Sequence, residues 1–228
     1  MEHLLLLHGA IGAMDQFEEL KNRLAGSYHV HSINFTGHGG QPIPAESFSM
    51  KMFAEDVLEY LHSNKIKTIN IFGYSMGGYV GMYLSKYSSG KIGKLITLAT
   101  KFHWSETIAG QEIKMLDAEK IEIKLPAFAQ ALERRHHPQN WKQVLQKTAN
   151  MLSDMGKDNT LKPGDYKSIN IPVKLMIGDK DKMVTLNETM EVYNSLSYAQ
   201  LSVLPDTPHP IEGVNMDRLT FEISDFLK

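Results

Sequence analysis

Cysteine is absent from the 228 residues. That removes disulfide staples and thiolate nucleophiles, and leaves only His and carboxylates to hold a zinc ion. It also fits a reducing compartment, and a cytoplasmic location is the expectation. Neither sign of charge dominates, since 24 Lys+Arg stand against 26 Asp+Glu for a formal net charge of −2. A nucleic-acid footprint would show as a basic excess on one stretch; Lys and Arg are scattered, so no nucleic-acid partner is expected. Long apolar runs are missing too. The longest early one, Leu4 to Leu7, falls far short of a signal h-region or a membrane span, so a soluble chain with no membrane partner is expected. No internal repeat, low-complexity tract or flexible linker is present. What remains is ordinary, 42% apolar and 22% charged, which excludes wholesale disorder and allows one large domain or one domain with an insertion.

Short apolar runs alternate with helical patterns. Leu4–Leu7 ends at His8-Gly9, Tyr28–Phe35 at Thr36-Gly37-His38-Gly39-Gly40, Thr68–Phe72 at Gly73 and Val173–Ile177 at Gly178-Asp179. Leu95–Ala99 precedes a polar break, and Leu201–Leu204 stops at Pro205. Runs this short, apolar on both faces and closed by Gly or Pro, read as buried parallel strands. Phe17, Leu20 and Leu24, then Phe53, Val57, Leu58 and Leu61, fall on single helical faces. Strand–helix alternation predicts an α/β fold with right-handed crossovers.

One segment breaks the rhythm. Residues 101–170 hold no convincing strand, Ile121–Leu125 being the one marginal candidate. Trp141, Val144, Leu145, Thr148, Met151 and Leu152 mark an amphipathic helix, and Pro126 suits the first helical position ahead of Phe128 and Leu132. The chain therefore divides into a core of residues 1–100 and 171–228 and a helical insertion of residues 101–170.

Ile69–Phe72 followed by Gly73-Tyr74-Ser75-Met76-Gly77-Gly78 reads strand, Gly-x-Ser-x-Gly, helix. Such a turn holds Ser75 in a strained, exposed conformation, and glycines two residues to either side keep strand and helix from clashing. The hydroxyl then sits at a helix N-terminus that favours an anion. The pentapeptide alone recurs by chance, and a plain glycine-rich turn would look the same. A P-loop is excluded because no Gly-Lys-Ser/Thr follows, and the glycines do not form a dinucleotide fingerprint.

A serine nucleophile needs a base, and the base needs a carboxylate to orient it. Ile177-Gly178-Asp179-Lys180-Asp181 supplies an acid after a later strand; Pro205-Asp206-Thr207-Pro208-His209-Pro210 supplies a His after the last one. The order Ser75, Asp181, His209 is the one expected on an α/β-hydrolase sheet. Asp206, three residues before His209, is a competing orienter.

Over nearly its whole length the sequence resembles the α/β-hydrolase superfamily. The family's Gly-x-x-Asp-x-x-Val matches Gly178, Asp181 and Val184, which favours Asp181 over Asp179, read as a loop or capping residue. Its His-Gly turn matches His8-Gly9, and its Gly-His-Gly turn matches Gly37-His38-Gly39. The resemblance implies a three-layer α/β-hydrolase fold with a mostly parallel sheet of about six strands and an inserted helical cap, because the two leading antiparallel strands of many members are missing. It implies an oxyanion hole from the backbone N–H groups of Ala10 and Met76. Ile11, Tyr74 and Trp104 are candidate pocket residues. The usual Asp before the Gly-His-Gly turn is Asn34, at a position that is normally structural.

The implied activity is cleavage of a small, moderately hydrophobic carboxylic ester by Ser75, His209 and Asp181, with no cofactor and no metal. Gly-Tyr-Ser-Met-Gly-Gly is also similar to the menaquinone-pathway lyase, whose branch carries Arg after the double glycine where this chain has Tyr79; Arg134 and Arg135 could compensate. Carbon–carbon bond and thioester hydrolases share the triad, and a ligand-sensing receptor on the same fold stands as a third reading. A small-molecule substrate is the expected partner, with monomer and homodimer both open. Of the remaining histidines, His8 and His38 are read as holding turns. His136-His137, beside Arg134-Arg135, are read as a solvated helix surface, because neighbours on a helix point apart. His103 is read as packing or binding near the entrance.

Overall fold

The computed structural model describes residues 1–228. Its six strands are β1 (His3–Leu7), β2 (His29–Ile33), β3 (Ile69–Tyr74), β4 (Ile92–Leu98), β5 (Val173–Gly178) and β6 (Ala199–Leu204). They form one all-parallel sheet in the order β2-β1-β3-β4-β5-β6. Ten helices accompany them: α1 (Glu18–Leu24), α2 (Met50–Ser63), α3 (Met76–Tyr87), α4 (Glu106–Ile113), α5 (Ala118–Lys124), α6 (Pro126–His136), α7 (Trp141–Lys157), α8 (Pro163–Tyr166), α9 (Leu186–Ser195) and α10 (Met216–Leu227).

Strand β1 shows why there are three layers. Successive side chains of a strand point to opposite faces, and Leu4, Leu5, Leu6 and Leu7 are all fully buried. Leu4 and Leu6 pack with Phe17, Leu20 and Leu24 of the α1 side and Leu219, Ile223 and Phe226 of α10. Leu5 and Leu7 pack with Phe53 and Val57 of α2, Val80 of α3 and Val192 of α9. Apolar on both faces, the strand fits only between two helical layers.

Strand order sets the place of the site. From β1 the chain moves outward to β2, then returns to lay β3 on the other side of β1. At this reversal the loops after β1 and β3 diverge and open a crevice at the carboxyl ends, where open α/β sheets bind ligands.

Between β4 and β5 run α4 to α8. The marginal strand at Ile121–Leu125 is not formed; Asp117 caps α5 by accepting from the Lys120 N–H (3.1 Å), and Pro126 opens α6 at its first turn. Ile121, Ala129, Leu132, Trp141 and Leu145 build a small core of their own. The stripe expected on α7 is also there, with Val144, Met151, Leu152 and Met155 joining the main core. No helix is long and apolar enough to cross a membrane.

Candidate active site

Ser75 lies between β3 and α3 with φ 51° and ψ −117°, a left-handed conformation that non-glycine residues rarely adopt and that strains the backbone. Its neighbours enforce it. The Ser75 N–H donates to the Leu98 carbonyl (2.8 Å), while its carbonyl accepts from the Gly78 N–H (3.0 Å) and the Thr100 hydroxyl (3.1 Å). A Cβ on Gly73 would lie 2.5 Å from Gly77 backbone, and one on Gly78 would lie 2.0 Å from Thr100 Oγ1. The strand–helix clash expected around the elbow is thus visible at Gly73, whereas Gly77 and Gly78 are held to glycine by Leu7 and Thr100.

Asp181 and His209 come together from the loops after β5 and β6. His209 Nδ1–H donates to Asp181 Oδ2 at 2.8 Å, and the Asp181 side chain is fully buried. Asp181 Oδ1 accepts from the Met183 and Val184 N–H groups at 2.8 and 2.9 Å. Burial alone would raise this carboxyl, but the His209 contact and the two backbone donors overcome it and hold the acid below the ordinary range. The competing acids are occupied elsewhere. Asp206 pairs with Lys180 at the surface, and Asp179 accepts from the Thr207 N–H (3.0 Å), bracing the loop that carries His209. Tyr74 adds a second brace by donating its hydroxyl to the His209 carbonyl (3.1 Å).

The turn after β1 faces the elbow. The Gly12 N–H closes it onto the Gly9 carbonyl (3.2 Å), and His8 Nδ1–H donates to the same carbonyl (2.8 Å). Because the C=O and N–H of one trans peptide point in opposite directions, fixing the Gly9 carbonyl also fixes the Ala10 N–H, which has no backbone acceptor. The Met76 N–H opens α3, where the first N–H groups lack intrahelical acceptors and the Ser75 side chain caps none of them. Asn34 does structural work, accepting from the Met14 N–H (2.8 Å) and donating to the Gly39 carbonyl (3.0 Å).

One cavity of about 540 Å³ gathers Ser75, His209, Ala10, Met76, Ile11, Tyr74 and Trp104 on its wall. Asp181 stands behind His209, out of the cavity. His103 does not reach the cavity wall and instead lies 3.0 Å from Glu191. The solvated reading of the basic run holds only in part: Arg134 is exposed, whereas His136 is fully buried and Arg135 lines the cavity, with Asp15 and Glu212 at 3.3 and 3.8 Å. The i, i+3 pattern from Ala129 to Leu132 was the available signal, because it continues to Arg135 and His136.

Three histidines, His8, His38 and His136, lie buried together beneath the turn, with ring centroids 5.2 and 5.9 Å apart in succession. Burial pushes the His8 imidazole down to about 3 and holds His38 well below its ordinary value. The unfolded chain takes up protons near pH 6.5 that these folded sites refuse, so stability is complete above that pH and falls as pH drops below it. By pH 5 His8 alone removes about 2 kcal/mol. A melting temperature that falls steadily from pH 7 to 5, above the range where carboxylates protonate, is the expected result; a flat profile would contradict it.

A family model described as alpha/beta hydrolase fold matches residues 2–118. Esterase YbfF of Escherichia coli (strain K12) is 27% identical over 96 residues, 42% of this chain and 37% of that protein. Protein PHYLLO, chloroplastic, of Arabidopsis thaliana is 28% identical over 96 residues, 39% of this chain and 6% of that protein. Each match spans well under two thirds of the relative's length. Among solved structures, MenH from S. aureus superposes with a TM-score of 0.79 at 22% identity, covering 99% of this chain and 93% of that one, a likeness of fold.

Proposed function

The chain belongs to the alpha/beta hydrolase fold family, and from that premise we propose that it is a serine hydrolase cleaving a small carboxylic ester through an acyl-enzyme intermediate. The observation that carries this reading is the 2.8 Å contact of His209 with the buried Asp181, with His209 on the wall of the cavity that holds the strained Ser75. The Asp181 contact keeps the Nδ1 proton in place, so Nε2 is left as the base. Ser75 Oγ attacks the ester carbonyl while His209 Nε2 takes its proton. The negative charge that develops on the carbonyl oxygen is met by the Ala10 and Met76 N–H groups. His209 then gives that proton to the leaving alcohol; in the second half it takes a proton from water as the water oxygen attacks the acyl carbon, and returns it to Ser75 Oγ as the acyl–serine bond breaks and the acid leaves.

Residues 101–170 take the part of a cap in this reading. Trp104, Ile121, Phe128, Met151 and Leu152 line the cavity from that segment, excluding bulk water and favouring a moderately hydrophobic substrate. The name of Esterase YbfF points the same way.

A second reading, a lyase or a hydrolase of carbon–carbon or thioester bonds, draws on the Gly-Tyr-Ser-Met-Gly-Gly resemblance and on Arg135 in the cavity wall. Tyr79, which stands where that lyase branch carries Arg, is committed elsewhere: its hydroxyl donates to Asn159 Oδ1 (2.5 Å) and accepts from the Leu161 N–H (2.8 Å). Arg135 is itself neutralised by Asp15 and Glu212. Both facts favour the ester.

Labelling with a fluorophosphonate, followed by mapping of the adduct, tests the core of the reading. One adduct at Ser75 is expected, slowed at least about a hundredfold in His209→Ala, with turnover of short p-nitrophenyl esters exceeding that of β-diketones and thioesters. Labelling elsewhere, or equal labelling in His209→Ala, would refute it.

A further inference from the structure

The turn that carries Ala10 does not hold its shape by itself. Ile11, third in the four-residue turn from Gly9 to Gly12, has φ 53°, where a turn calls for glycine and a β-branched residue is most strained. Something outside the turn must offset that strain. The Ile11 side chain packs against the small core formed by α5, α6 and α7. Its carbonyl accepts a hydrogen bond from His136 Nε2 (3.1 Å), a residue at the end of α6 and 125 positions away in sequence.

The other nitrogen of the same ring is also used. His136 Nδ1 accepts from the Gly39 N–H at 3.1 Å. An N–H can donate only to an unprotonated nitrogen, so the ring carries its single proton on Nε2, which is the tautomer the Ile11 carbonyl requires. Burial favours that neutral form. Neighbouring contacts fix where the ring sits. A Cβ on Gly40 would lie 2.7 Å from the His137 carbonyl, so the end of α6 rests directly on the Gly37–Gly40 turn. Arg135 ties the same helix end to Asp15 and Glu212. One imidazole therefore bridges the turns after β1 and β2 from a helix of the inserted segment.

We propose that His136 is a positioning residue for ester cleavage: by holding the Ile11 carbonyl it keeps the strained turn in the shape that aims the Ala10 N–H at the reacting carbonyl. The proposal rests on the serine-hydrolase reading above. It makes the inserted helices part of the oxyanion machinery as well as a wall of the pocket. His8 grips the turn at Gly9 from the sheet side, and His136 grips it at Ile11 from the insertion side. The Ala10 peptide lies between them.

Glutamine and methionine have nearly the same shape, and only glutamine can donate to the Ile11 carbonyl. Comparing His136→Gln with His136→Met therefore isolates the hydrogen bond. H136M is expected to lower kcat for a p-nitrophenyl ester about 10- to 100-fold with KM within about threefold, because a misaimed oxyanion donor acts on the transition state rather than on ground-state binding. H136Q is expected to recover kcat to within about fivefold of the parent. Equal losses in the two variants, or a rise in KM with kcat unchanged, would overturn the proposal. Should H136M fail to fold, side-chain nitrogen NMR on the parent protein decides: a proton on His136 Nε2 that exchanges slowly is expected, and a proton on Nδ1 refutes the clamp. A parent protein that neither turns over esters nor labels at Ser75 would remove the hydrolase reading itself. That outcome is distinct from an active parent whose H136M variant is equally active, which sinks the positioning role alone.

Discussion

Ser75→Ala is expected to lower kcat for ester hydrolysis by about 10⁵-fold or more while leaving the fold intact. Two features of the site set the size of the effect. In the proposed mechanism every step that uses His209 and Asp181 begins from or follows attack by the Ser75 hydroxyl, so removing that oxygen idles the pair; what survives is the modest rate that binding and the backbone donors give to attack by water. Two other features set the intact fold. The Ser75 side chain caps no N–H of α3, so its loss leaves no helix donor without a partner. Alanine keeps a Cβ, so the elbow at φ 51° is no more strained than before, and the contacts that impose it run through the backbone of Ser75 to Leu98, Gly78 and Thr100. A melting temperature within about 2 °C of the parent is expected, alongside activity at the background rate. Turnover within a hundredfold of the parent would remove Ser75 from the mechanism.

Much of this was legible in the sequence because it is local. The elbow is a contiguous run of six residues, Gly73 to Gly78, that joins a strand to a helix. The acid and the His follow short apolar strands and sit where each strand ends. The leucines of β1 announce burial on both faces before any partner is known. Long-range features were not legible in this way. His136 belongs to a run of four basic residues, and its neighbours on the helix suggest a solvated face. Only the folding of the inserted segment onto the sheet brings it against a carbonyl 125 positions away. Ile11 gives no sign of its positive φ, because a β-branched residue is the last one that turn chemistry would choose. Ile121–Leu125 carries the β-branched pattern of a strand, yet Asp117 and Pro126 bracket it as a helix. The choice between Asp181 and Asp206 differs: residue order permits both, the place of Asp181 just after an apolar strand favours it in the sequence, and the structure sets Asp181 against His209 and Asp206 on Lys180.

Gly77→Ala is expected to destabilise the protein by about 3 kcal/mol, at the upper end of what overpacking costs, although alanine is the better helix former by about 1 kcal/mol. Position 77 lies in α3 with ordinary helical geometry, so propensity alone predicts a gain. Contact predicts the reverse. A Cβ there would lie 2.2 Å from the Leu7 carbonyl oxygen and 2.7 Å from that of His8. Both are backbone atoms at the end of β1, and no rotamer change relieves them. Helix α3 must then move away from β1, loosening a core packed to crystal-like density. The same movement separates the Met76 N–H from the turn that carries Ala10, so the two donors of the proposed oxyanion hole lose their common target and kcat is expected to fall with stability. For a chain of this size the melting temperature is expected to drop by roughly 6–12 °C. Gly110→Ala supplies the control: it too lies within a helix, α4, but its added Cβ meets nothing within 4 Å, so propensity acts alone and a gain of about 0.5–1 kcal/mol is expected. Thermal melts of the two variants should therefore move in opposite directions. A shared direction would mean that the approach of α3 to β1 does not govern the stability of the elbow.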